Sequence, residues 1–130
     1  MHTLEINTTK RCELVEITAD VQAVVDLNKA RDGMVFLMVP HTTAGLTVNE
    51  NADPAVTKDI LRKMQDMIPV NDGYIHAEGN SDSHIKQSLF GCEMFFIVEN
   101  GKLVLGTWQG IYFCEFDGPR KRKIHIKITG

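Results

Sequence analysis

Hydrophobic and polar positions alternate with two different periods along this chain. Near the end, Ile124, Ile126 and Ile128 fall on one side and His125 and Lys127 on the other, the period of two that marks a half-buried β-strand. Between Val56 and Ile68 the apolar residues Val56, Ile60, Leu61, Met64, Met67 and Ile68 instead share one face at helical spacing. Asp53 offers a carboxylate to the free amides at the start of that helix, and Pro54 occupies its first position, where a missing N–H costs nothing.

The same reading covers most of the remaining chain. Leu4 to Ile17 holds two short β-like stretches. Thr18 is expected to cap a helix that carries Val21, Val24 and Val25 and closes at Asp32-Gly33. Met34 to Val39 is a continuous apolar run, expected to be a strand buried on both faces and ended by Pro40. A short helix starts at Ser81 or Ser83, runs through Ile85 and Leu89, and stops at Gly91. Glu93 to Glu99 and Lys102 to Leu105 flank Asn100-Gly101, a hairpin signal because both turn residues accept positive φ. Ile111 to Phe116 and Ile124 to Ile128 flank a second turn at Asp117-Gly118-Pro119. Strands bracket helices without a regular βαβ alternation. The expected fold is a single α+β domain over residues 1–130, with helices packed on a largely antiparallel sheet or sandwich.

Composition narrows the partners. A chain of 130 residues, 43% hydrophobic and 24% charged, suits one soluble globular domain. The longest apolar run is far short of the ~20 residues a membrane helix needs. The N-terminus lacks the basic and then apolar regions of a secretory signal, so a cytoplasmic location is expected. A net charge of −3 supplies no general attraction for nucleic acid. The three cysteines, Cys12, Cys92 and Cys114, are far apart in sequence and read as reduced thiols.

Specialised side chains concentrate in two stretches. Pro40 to Gly45 continues into Asn49-Glu50-Asn51-Ala52-Asp53, and Tyr74 to His84 holds His76, Glu78, Asn80 and His84. Three imidazoles suit a transition metal, and His41, His76 and His84 offer three nitrogens. Glu50, Asp53 or Glu78 offers an added ligand, a partner to a ligand, or a general base. The bland alternative is that each histidine is a surface or packing residue and that Asp53 only caps a helix. A second reading takes the hydroxyls and glycines near Thr43 and Asn80 as a phosphate cradle, although turn formation is their commoner use. No nucleotide-binding glycine loop and no Gly-x-Ser-x-Gly elbow is present. In the basic run Arg120 to Lys123, Lys121 and Lys123 read as a solvated edge and Arg120 as an anion ligand.

Taken together, the stretches PHTTAGLTVNENADPAV, HAEGNSDSHIKQSLFG and GKLVLGTWQGIYFCEFDGPRKRK resemble the YjbQ family, often labelled secondary thiamine-phosphate synthases. The likeness runs from about the first helix to the end of the chain, with Ser83 standing where a small alanine is expected. It implies an α+β homotrimer with a pocket near the subunit contacts. It also implies a divalent metal, zinc before magnesium or manganese, on His41, His76 and His84. The expected function is that of a small metal-dependent enzyme acting on a phosphorylated small molecule, with thiamine-phosphate synthase activity implied. In that scheme Glu50 and Asp53 serve as acid–base residues. Thr43, Asn49, Glu78, Asn80 and Arg120 hold the substrate. The rival expectation is a trimeric module that binds a metabolite or metal without turnover.

Overall fold

The computed structural model describes every residue from Met1 to Gly130. Its elements run β1 (His2–Asn7), β2 (Glu13–Glu16), α1 (Thr18–Leu27), β3 (Gly33–Met38), β4 (Ala44–Glu50), α2 (Pro54–Met67), α3 (Ser81–Phe90), β5 (Glu93–Glu99), β6 (Lys102–Leu103), β7 (Gln109–Glu115) and β8 (Lys121–Thr129). A five-stranded sheet of order β1-β8-β3-β5-β6 faces a three-stranded sheet of order β2-β7-β4, and every pairing is antiparallel. The fold is therefore α+β, with a two-sheet core. No helix is long and apolar enough to cross a membrane.

Alternation builds that core. Val35 and Leu37 from β3, Ile124 and Ile126 from β8, and Phe96 and Val98 from β5 meet Leu46 of β4 and Ile111 and Phe113 of β7. Val21, Val24 and Val25 of α1 close one side. Burying such side chains contributes about 1.5–3 kcal/mol each.

Several elements differ from the sequence expectation for identifiable reasons. Thr18 does not cap α1 from outside. It is the first helical residue, and its hydroxyl accepts the Ile111 N–H at 2.8 Å while donating to Glu16 at 2.9 Å. The helix ends at Leu27, well before Asp32, and Lys29 takes a left-handed φ of 54°. β3 is buried on one face only, for Phe36 and Met38 point away from the core. The polar stretch after Thr43 is a strand, β4, pairing with β7 from Ala44 opposite Glu115 to Glu50 opposite Gln109. The turn at Asp117-Gly118-Pro119 joins strands of different sheets, so β7 and β8 do not form a hairpin.

The helices behave unevenly. In α2, Asp53 accepts the Ala55 N–H at 2.9 Å as expected, yet none of the helix's residues is buried. In α3 the inward face is Asp82, Ser83 and Lys86, while Ile85 and Leu89 are exposed. The reason is pairing: Asp82 accepts from Lys86 Nζ at 3.0 Å and from both ends of the Arg11 fork at 3.0 and 3.1 Å. Ser83 donates to the Phe116 carbonyl. Gly91, at φ 89°, stops α3, and a side chain at Gly45 would collide with the Gly91 carbonyl oxygen. That close approach seats the end of α3 on β4 and fixes the neighbouring loops. The Asn100-Gly101 turn forms as expected, with φ of 52° and 77°.

Candidate functional site

Three loops meet where the two sheets and α3 come together. Pro40 to Thr43 links β3 to β4, Glu78 to Asn80 leads into α3, and Asp117 to Arg120 links β7 to β8. They border an open cavity of about 330 Å³ with no hydrophobic residue in its lining. His41, Thr43, Glu78, Asn80, His84 and Arg120 all border it, drawn together from sequence positions up to 79 residues apart.

Beneath the cavity lies a buried ion pair that sequence reading missed. Arg122 is 2% exposed, its Nε donates to Glu115 Oε1 at 2.9 Å, and its Nη2 donates to the Thr43 hydroxyl at 2.8 Å. Thr8 donates to the same Glu115 oxygen at 2.7 Å. Burial alone would raise the Glu115 pKa, but the hydrogen bonds from Arg122 and Thr8 and the Asp117 N–H hold it below the ordinary carboxylate value. The signal was present in the chain, because Arg122 shares the strand parity of Ile124 and Ile126 and so had to face inward.

At the rim, Arg120 donates from Nε to the Asp117 carbonyl at 2.9 Å and from Nη2 to the Asp117 carboxylate at 3.1 Å. Asn80 Nδ2 donates to that carboxylate at 2.9 Å, while Asn80 Oδ1 is buried without a partner. Arg120 Nη1 has no protein acceptor. Each guanidinium is charge-balanced by a carboxylate, so the cavity offers directed donors and acceptors rather than a strong field.

His41 sits where β3 has left the sheet. Extending the β3–β8 register two residues past Met38 opposite His125 puts Pro40 opposite Lys123. The His41 ring takes up the freed group, with Nε2 accepting the Lys123 N–H at 2.9 Å. An accepting Nε2 places the proton on Nδ1. Burial first, and then the charge of Arg122, lowers the His41 pKa, so the ring is neutral at pH 7.

This arrangement does not fit a metal held by three histidines. A nitrogen that carries a proton cannot ligate, and the other is engaged by Lys123. His84 borders both the cavity and a neighbouring one beside His76 and Tyr74. The His76 and His84 rings meet edge to face at 5.5 Å, and His76 Nε2 is 3.8 Å from Glu78 Oε2. No three His, Cys, Asp or Glu side chains are grouped to hold an ion.

Asn49, Glu50 and Asp53 lie at the other end of β4. The strand from Ala44 to Glu50 spans about 20 Å at the usual rise per residue, so within one chain Glu50 and Asp53 do not reach His41. There Asn49 accepts the Glu50 N–H at 2.7 Å, Glu50 accepts the Asp53 N–H, and Asp53 caps α2.

The sequence signature carrying these loops is shared. A model of the UPF0047 YjbQ-like proteins matches residues 2–130. The chain belongs to the YjbQ/UPF0047 family. Among its relatives, a UPF0047 protein of Methanocaldococcus jannaschii is 52% identical over 97% of this chain and 91% of that protein. The UPF0047 protein YugU of Bacillus subtilis is 50% identical, with 100% and 99% covered. Among solved structures, a YjbQ/UPF0047-family protein of Clostridium acetobutylicum superposes with a TM-score of 0.97 at 50% identity, covering 99% of this chain and 100% of that one. A YbjQ-like protein of unknown function from Sulfolobus solfataricus gives 0.94 at 33% identity, with 99% and 95% covered. The YjbQ fold is thus the frame on which the polar cavity is built.

Proposed function

We propose that this YjbQ-family protein binds a phosphorylated small molecule in the cavity between His41, Asn80 and Arg120. The observation that carries the reading is a predominantly polar cavity, where the free Nη1 of Arg120, the Nδ1–H of His41 and the hydroxyl of Thr42 are donors. A guanidinium matches phosphate oxygens in geometry and charge, and a neutral imidazole N–H adds a directed donor. A dication at His41 would face Arg120 and Arg122, the charges that help hold the ring neutral, so no step is assigned to a metal there. Glu78 and His84 are the groups on the wall able to accept or give a proton to a bound ester.

Calorimetric titration with inorganic phosphate tests the reading. Saturable binding that weakens about tenfold or more in Arg120→Ala supports it. No heat, with no change in melting temperature, overturns it. A product formed from a bound phosphate ester makes the protein an enzyme. Saturable stabilisation without product makes it a binding module.

Two further features support the assembly and location that the family resemblance implies. The outer face of the five-stranded sheet carries Phe36, Met38, Phe95 and Ile97, where a solvated sheet would be polar. Lys123 and Lys127 of β8 flank that strip on one side, and Glu93 and Glu99 end it along β5. A face with both signs at its margins suits further copies of the same chain, as a homotrimer requires. All three cysteines are unpaired, as in a reducing cytoplasm.

A further inference from the structure

We infer that Arg122 is a second ligand of the anion, reaching it from the cavity floor through Nη1, while Glu115, Thr8 and Thr43 serve to aim it. The inference rests on the phosphate reading above and extends that site below the rim set of Arg120, His41 and Thr42.

A guanidinium carries five N–H donors in one rigid plane. In Arg122 three of them are committed. Nε and one Nη2 hydrogen go to the oxygens of Glu115, and the other Nη2 hydrogen goes to the Thr43 hydroxyl at 2.8 Å. The two hydrogens of Nη1 meet no protein acceptor. Nη1 is not sealed in the core either, for Asn80 Oδ1 is the one fully buried side-chain polar atom without a partner. Arg122 is 2% exposed and borders the polar cavity, so the little surface left to Nη1 opens there. The charge of Arg122 also helps lower the pKa of His41, which puts the guanidinium close to that ring.

A guanidinium that only ties the two sheets together has no need of an open side. Here the bonds to Glu115 and Thr43 fix its plane, and Thr8 holds Glu115 in turn at 2.7 Å. Nη1 therefore has one direction before any ligand arrives, and binding costs no further ordering of that side chain. Arg120, by contrast, is half-exposed at the rim. Because Glu115 balances the charge of Arg122, the floor contributes two directed donors rather than an extra unit of field.

Arginine side-chain nitrogen-15 NMR and calorimetry, both with inorganic phosphate and the whole chain, test this. In the unaltered protein, Nη1 of Arg122 is expected to shift on the same saturable curve as Arg120, while its Nε and Nη2 stay in place. Arg122→Met combined with Glu115→Leu leaves the net charge unchanged and fills the space with apolar side chains. Folded by circular dichroism, that double variant is expected to bind phosphate at least about tenfold more weakly. If Arg120 shifts and Arg122 Nη1 does not, or the folded double variant keeps full affinity, this inference fails and the phosphate reading stands. If the double variant does not fold, the side-chain signals of the unaltered protein decide the matter. If neither arginine shifts, the phosphate reading itself fails.

Discussion

Arg122 and Glu115 face each other under the floor of the polar cavity, guanidinium Nε 2.9 Å from carboxylate Oε1, both cut off from solvent. The pair joins β8 of one sheet to β7 of the other and holds Thr43 at the cavity edge. Removing one partner leaves a buried charge uncompensated. Arg122→Ala is expected to lose about 3–5 kcal/mol in urea denaturation, whereas Arg122→Met combined with Glu115→Leu recovers most of it. A loss below about 1 kcal/mol would show that the pair is hydrated.

Acid should act through the same pair and through Asp82. Burial works to raise both carboxyl pKa values, but the hydrogen bonds from Arg122 and Thr8 to Glu115, and from Arg11 and Lys86 to Asp82, bring both below the ordinary range. A carboxylate depressed in the folded state contributes stability that is complete above its unfolded pKa of about 4 and is lost as pH falls through the folded value. In denaturation midpoints measured from pH 7 to pH 2, the part supplied by these two carboxylates should therefore be unchanged down to about pH 4 and be lost below it. In Glu115→Gln the drop should be shallower, from a lower starting stability.

His41 is expected to titrate below about 6.5, the ordinary imidazole value. Because its folded pKa is lowered, the unfolded chain binds the proton more readily. The contribution of His41 to stability is thus complete above that value and falls with acidification toward the folded pKa. Nitrogen-15 NMR of the imidazoles should show the Nδ1–H tautomer at pH 7, unchanged by added zinc. An Nε2–H tautomer, or a zinc-dependent shift at His41, would restore it as a metal ligand.

Much of the fold was legible in the chain, and the exceptions have physical causes. The alternation of Ala44, Leu46 and Val48 marks β4 once its polar neighbours are seen as the other face of a strand. Helical spacing located α3 but not its inward face, because Asp82 is made buriable by Arg11, 71 residues away in sequence. For the site, His41, Thr43, Glu78, Asn80, His84 and Arg120 share one cavity, while Asn49, Glu50 and Asp53 are grouped elsewhere. Proximity along the chain suggested one cluster, and a seven-residue extended strand separates it into two.

The apolar outer face makes its own prediction. Phe36 and Phe95 are directly opposed across β3 and β5, with ring centroids 6.2 Å apart and Phe95 61% exposed. Sedimentation should give the mass of three chains for the protein and of one chain for Phe95→Glu. A folded monomer in the unaltered protein would leave that face without its proposed partner.

The central claim is that the cavity beside His41 and Arg120 is where an anionic ligand binds. Amide chemical shifts followed by NMR during a titration with inorganic phosphate test it most directly. The predicted result is that Thr42, Thr43, Asn80 and Arg120 shift together along one saturable curve while Glu50 to Asp53 stay in place. Saturable shifts at Glu50 to Asp53, with the cavity residues unmoved, would contradict it.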